Sequence, residues 1–124
     1  MKISSEMSNE AKNALDNSKS LGGKKKNFKY KIINVPGVFE IPVIISKNIK
    51  KYDGFIALGC VIKGETPHFD FISQATTNAI MTLSIDYKKP VGNGIITCLN
   101  QDQAEARSKK GREAAEAVIS VLSK

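Results

Sequence analysis

The chain has no tryptophan, one histidine, two cysteines and only 6% aromatic residues. So few rings leave little for unpaired bases to stack on, which argues against a single-strand nucleic-acid platform. Cys60 and Cys98 both lie in apolar, strand-like segments, without CxxC spacing or a flanking histidine. That placement points to core thiols rather than to metal or redox work. A nucleophilic Cys60 beside His68 would need an electropositive, partly exposed setting, and nothing in the sequence demands one. Long apolar runs are missing too. The longest uncharged apolar run, 54–62, is far too short to span a bilayer. No basic, apolar, small-residue leader opens the sequence, so the expectation is a soluble, cytoplasmic protein with no membrane partner.

With 124 residues, 41% of them hydrophobic and 25% charged, the composition is that of a globular chain. A single domain over 1–124 is expected, burying roughly two thirds of its unfolded surface. The formal charge of +7 raises the question of a polyanionic partner. Much of the excess is grouped at Lys24, Lys25, Lys26, Lys29 and Lys31, with Lys47, Lys50, Lys51, Lys88 and Lys89 at other element ends. These read as solvated loops, and no groove-reading motif accompanies them. No nucleic-acid partner is expected. A basic binding module would betray itself by affinity that falls steeply with salt.

Ser4 and Ser5 before Glu6 predict an N-cap and a weakly amphipathic helix through Ala11, Ala14, Leu15 and Leu21, stopping at Gly22 and Gly23. The alternation of Phe28, Tyr30 and Ile32 up to Pro36-Gly37 predicts a strand over 28–35. A helix follows Pro42, carrying Val43, Ile44, Ile45 and Ile49. FIALGCVI, 55–62, is a continuous apolar run bounded by glycines, the mark of a strand buried on both faces of a parallel sheet. Apolar residues at helical spacing predict a third helix over 72–87, a third strand over 90–99 and a last helix over 103–122. The order αβαβαβα predicts a parallel sheet covered by helices on both faces.

In open α/β sheets, ligands sit beyond the carboxyl ends of the strands. Residues 35–41, 59–68 and 99–107 share that edge. Past Ile62 the chain passes Gly64, Glu65 and Thr66 into a helix, whose free N–H groups and positive dipole end attract a phosphate or carboxylate. Thr66 would either cap the helix or bond that anion through its hydroxyl. Arg107 would clamp the same group with two parallel bonds, or stand in a surface ion pair. His68 titrates near neutral pH and lies close to this anion site, so it is the candidate proton-transfer group. Asp70 reads as first-turn dipole compensation. Glu40, in the apolar stretch VPGVFEIP, either caps the next helix or accepts hydrogen bonds from a polyhydroxyl ligand; Phe39 either flanks a planar ring or packs in the core.

VPGVFEIP (35–42), KKYDGFIALGCVIKGETPHFDF (50–71), PVGNGIIT (90–97), QAEAR (103–107) and KGREAAEA (110–117) together resemble, in order, the 6,7-dimethyl-8-ribityllumazine synthase family. The pairing of PGxxEIP with GxVIxGxTxH is highly specific, and the resemblance covers 28–122. It implies condensation of 5-amino-6-(D-ribitylamino)uracil with L-3,4-dihydroxy-2-butanone 4-phosphate in riboflavin synthesis, without metal or cofactor. It also implies a flavodoxin-like three-layer α/β/α sandwich assembled as homopentamers or icosahedral shells, with sites between subunits. By the same resemblance, Val38, Phe39 and Glu40 line the ribitylaminouracil site, with Glu40 receiving ribityl hydroxyls. Cys60, Val61 and Ile62 hold the pyrimidine edge, Glu65, Thr66 and Arg107 meet the phosphate, His68 moves protons and Lys110 matches a family lysine. Asn93 stands where the family places an aromatic beside the ring of the adjacent subunit. The family's first strand, which ends in an arginine-phenylalanine-asparagine type motif, is missing, and the stretch from Arg107 to Lys110 is shorter than the family's glycine-rich loop. A catalytically impaired, truncated relative that binds ribityllumazine or flavin and self-assembles is the alternative expectation.

Overall fold

The structure, a computed structural model, describes residues 5–16, 28–63, 68–99, 102 and 109–124. Within them the elements are α1 (Ser5–Asp16), a 3-10 turn (Val38–Glu40), α2 (Ile41–Asn48), β1 (Phe55–Ile62), α3 (His68–Tyr87), β2 (Val91–Cys98) and α4 (Lys110–Leu122). The α/β class follows directly. β1 and β2 pair in parallel, from Phe55 beside Val91 to Ile62 beside Cys98. Two parallel strands need a crossover, and the 20-residue α3 provides it. Two bonds extend the ladder past its ends, Phe55 N–H to the Pro90 carbonyl at 2.9 Å and Lys63 N–H to the Cys98 carbonyl at 2.8 Å.

Helices cover both faces. On one side Val38, Ile41, Ile45 and Ile49 pack with Ala57 and Ile80, so α2 and α3 share a core with the odd-numbered positions of the strands. Ile41, Ile45 and Ile49 recur every four residues, which puts them on one stripe of α2 and its continuation. Pro42 lies inside the first turn of α2 rather than ahead of it, where its missing N–H costs nothing. On the other side, α4 packs on β2 and α1 packs on α4. Gly92, Gly94, Ile96 and Cys98 alternate as the buried positions of β2 beneath it. A Cβ on Gly92 would stand 2.3 Å from the Ala114 carbonyl oxygen, so the helix backbone rests directly on the strand. The small Ala114 and Ala115, both buried, permit the same approach from the helix side.

One expected strand does not form. Residues 28–35 carry the anticipated alternation but lie outside the sheet, which has two strands among the described residues rather than three. Alternation says which side chains suit a half-buried pleat. Pairing also needs a neighbouring backbone edge about 4.8 Å away. Tyr30, Ile32 and Ile33 remain 45%, 49% and 37% exposed, and only Val35 reaches the core around Val38. The predicted continuation of α1 to Leu21, and of the last helix back to Gln103, falls outside the described residues. No helix among the described residues is long and apolar enough to cross a membrane.

Candidate active site at the carboxyl edge of the sheet

The strand register brings Cys60, Val61 and Ile62 level with Ile96, Thr97 and Cys98. Lys63 and Leu99 therefore leave the sheet side by side, tied by the Lys63–Cys98 backbone bond. α4 joins them from the third direction. Ala114 lies over Gly92 and Gly94 while Val118, one turn on, lies over Gly92 and Gly54, so α4 runs antiparallel to β2. Its amino end, Lys110, consequently projects toward the carboxyl edge. Lys110 Nζ stands 3.5 Å from Glu113 Oε2, an exposed i,i+3 pair that fixes little, because solvent screens it.

Val38, Phe39 and Glu40 occupy the 3-10 turn that packs against both β1 and α3. Val38 is buried and anchors the turn, whereas Phe39 is 60% exposed. The core-packing alternative for Phe39 is thereby corrected: a side chain this open contributes little burial, and its ring is available to flank a ligand. Glu40 occupies the N-cap position of α2 but makes no side-chain capping bond. Its Oε2 lies against Gly37 instead, 3.0 Å from where a Cβ there would stand. Of the two roles open to Glu40, helix capping is excluded by this geometry, and the half-buried carboxylate keeps its acceptor capacity among the described residues.

The side chain of Cys60 turns toward the α4 face and packs with Leu58, Ile96 and Cys98. Half-buried Cys60 and buried Cys98 are not joined in a disulfide, and both sit in the core as the sequence reading anticipated. Val61, on the opposite face, packs against the core shared with α2 and α3. Asn93 stands apart from the others. It pairs with Ala57 near the amino end of β2, five residues from Cys98 and so about 16 Å from the carboxyl edge. Its Oδ1 accepts the Ile95 N–H at 3.1 Å and its side chain is exposed. Within one chain it does not join the site.

Glu65, Thr66 and Arg107, and the side chains of Ile62 and His68, lie outside the described residues, although α3 is described from His68 onward. Two positions were passed over in the sequence. Phe71, in the first turn of α3, is 66% exposed, and Leu99, directly after β2, is 61% exposed. Both belong to segments that reach the carboxyl edge. The signal was available, since each is a large apolar residue at an element end, Phe71 in the first turn of α3 and Leu99 just past β2. No group of three or more His, Cys, Asp or Glu among the described residues is placed to hold a metal.

Residues 2–124 match the sequence model of the 6,7-dimethyl-8-ribityllumazine synthase family. Proteins bearing that name from Polaromonas sp., Bartonella bacilliformis and Aliarcobacter butzleri are each 42% identical to this chain, over 103, 107 and 113 residues. The matches cover 81%, 79% and 88% of this chain, and 66%, 70% and 71% of those proteins. The chain thus spans about two thirds of the length of these relatives.

Proposed function

The chain belongs to the 6,7-dimethyl-8-ribityllumazine synthase family, and from that premise we propose that it catalyses the family's transferase step in riboflavin biosynthesis. In this reading it joins 5-amino-6-(D-ribitylamino)uracil to L-3,4-dihydroxy-2-butanone 4-phosphate and releases phosphate. The observation that supports it is the strand register, which sets the ends of β1 and β2 and the amino end of α4 around one edge.

The chemistry asks for a small set of tasks. The amine attacks the ketone, water leaves the carbinolamine, and elimination of phosphate builds negative charge. Glu40 accepts ribityl hydroxyls beside the exposed ring of Phe39, while the peptide groups of Cys60, Val61 and Ile62 hold the pyrimidine edge. Thr66 and Glu65, just ahead of α3 in the sequence, and Arg107 meet the phosphate, where a guanidinium and a helix dipole stabilise the developing charge. His68 moves the protons, and Lys110 stands at the border of the phosphate site. Holding two substrates together supplies much of the remaining rate.

Asn93 lies too far from the edge to serve its own chain. A site completed by the neighbouring copy, in a homopentamer or a shell of pentamers, accommodates it. The exposed apolar side chains Val43, Met81 and Ile85 are in keeping with such an assembly. A sheet of two strands among the described residues favours the second reading, an impaired relative that keeps ribityllumazine or flavin binding without turnover.

Steady-state assay with both substrates separates the two. Product formed above the uncatalysed rate, and reduced by roughly 10²–10⁴-fold in His68→Ala and by roughly 10²–10³-fold in Arg107→Ala, supports catalysis. Saturable flavin or lumazine binding with no turnover in the parent chain supports the second reading.

A further inference from the structure

Cys60 and Cys98 are the two cysteines of the chain, and the fold makes them neighbours. Cys60 pairs with Ile96 and Cys98 with Ile62, so the two thiols stand on adjacent parallel strands, offset by two residues. Side chains two residues apart along a strand share a face. Cys98 therefore lies on the α4 face with Ile96, and Cys60 packs against them there together with Leu58. Cys98 is 2% exposed, whereas half-buried Cys60 gives the cluster its opening to solvent.

The offset decides what the pair can do. With strands about 4.8 Å apart and a two-residue step of about 6.6 Å, the two Cα atoms stand about 8 Å from each other. A disulfide needs less than about 7 Å, so forming one would drag the strands out of register. A single ion fits better. Metal–thiolate bonds of about 2.3 Å give a linear sulfur–metal–sulfur unit of about 4.6 Å, which leaves each side chain less than about 2 Å to close. Hard cations ask for about six oxygens or more and zinc for about four ligands. No group of three or more His, Cys, Asp or Glu among the described residues is placed to supply them. Two soft sulfur ligands suit monovalent copper, which is satisfied by a linear pair.

We propose that Cys60 and Cys98 together bind one monovalent copper ion, bridging β1 to β2 on the face that α4 covers. Each thiol releases its proton to solvent and each sulfur donates an electron pair to the ion, with no change of oxidation state. Two thiolates and one singly charged cation leave one negative charge. The amino end of α4, directed at the same edge of the sheet and carrying Lys110, has the sign that favours it. Copper capture needs no turnover, so it stands or falls separately from the enzyme assay.

The test titrates the full, reduced chain without oxygen against copper(I) held by the coloured chelator bicinchoninate. One equivalent is expected to pass to the protein, with X-ray absorption showing two sulfur ligands. Cys60→Ser should weaken binding by about 100-fold or more, beyond what losing a group that merely supports a ligand costs. Cys60→Met, which restores a soft sulfur, should recover part of that loss. Cys98→Ala should lose binding as Cys60→Ser does; the Cys60 variants, at the half-buried position, should leave the circular dichroism unchanged and so separate lost binding from lost folding. Failure of the parent chain to take copper from the chelator, or one-equivalent binding that survives Cys60→Ser, would overturn the proposal. So would nitrogen or oxygen in place of either sulfur. Ready formation of a Cys60–Cys98 disulfide by diamide with the circular dichroism unchanged would equally sink it, because the strands would then hold the thiols too close for a bridging ion.

Discussion

At the carboxyl edge, β1 and β2 run out into segments rich in glycine, hydroxyl, acid and guanidinium groups; at the amino half of β1 the same strand faces apolar walls rimmed by lysine. The second region is a sizeable concavity, ≈ 1080 Å³, yet its titratable groups are lysines, an aspartate and tyrosines, with no imidazole among them. The first region is where the sequence sets proton-transfer and anion-binding residue types next to the strand ends. A concave surface is a site only when the groups around it match a reaction.

Substitutions should keep the two regions apart. The largest effect on the scaffold is expected from Gly92→Ala, since its Cβ would meet the Ala114 carbonyl oxygen at 2.3 Å and carbon at 2.9 Å. Backbone is hard to move, so stability should fall by about 1–3 kcal/mol or more in urea titration, with turnover per folded molecule unchanged. A loss of turnover without a loss of stability would blur the distinction. Next comes Glu40→Gln at the carboxyl edge. Its carboxylate makes no capping bond, so the urea midpoint should hold while KM for the ribityl substrate rises by about tenfold, as expected for one lost charge-assisted bond of about 1.5 kcal/mol. A shift of the midpoint instead would make Glu40 structural. The smallest effect belongs to Arg112→Ala. Arg112 Nε meets Glu116 Oε1 at 3.0 Å, but both side chains are more than half exposed, so roughly 0.3–0.5 kcal/mol is expected and activity should not change.

Legibility varied with the kind of interaction involved. The run 55–62 was readable as a buried parallel strand because a strand covered on both faces has no polar positions. Ile41, Ile45 and Ile49 were readable as a core stripe from their spacing. Residues 28–35 had an equally clear alternation and yet do not join the sheet, since hydrogen bonding to a neighbouring strand depends on where that neighbour is. For Glu40 and Phe39, residue type left two roles open, and the fold removes one from each: Glu40 makes no cap bond, and Phe39 is 60% exposed.

By itself the sequence determined the α/β class, the family and the set of residues suited to phosphate and proton chemistry, because periodicity and residue type act locally along the chain. Only the tertiary structure decided that Asn93 stands away from the others and that Cys60 turns into the α4 face beside Cys98. Those are matters of which surfaces meet, and distance between segments far apart in sequence is fixed only when the helices and strands pack.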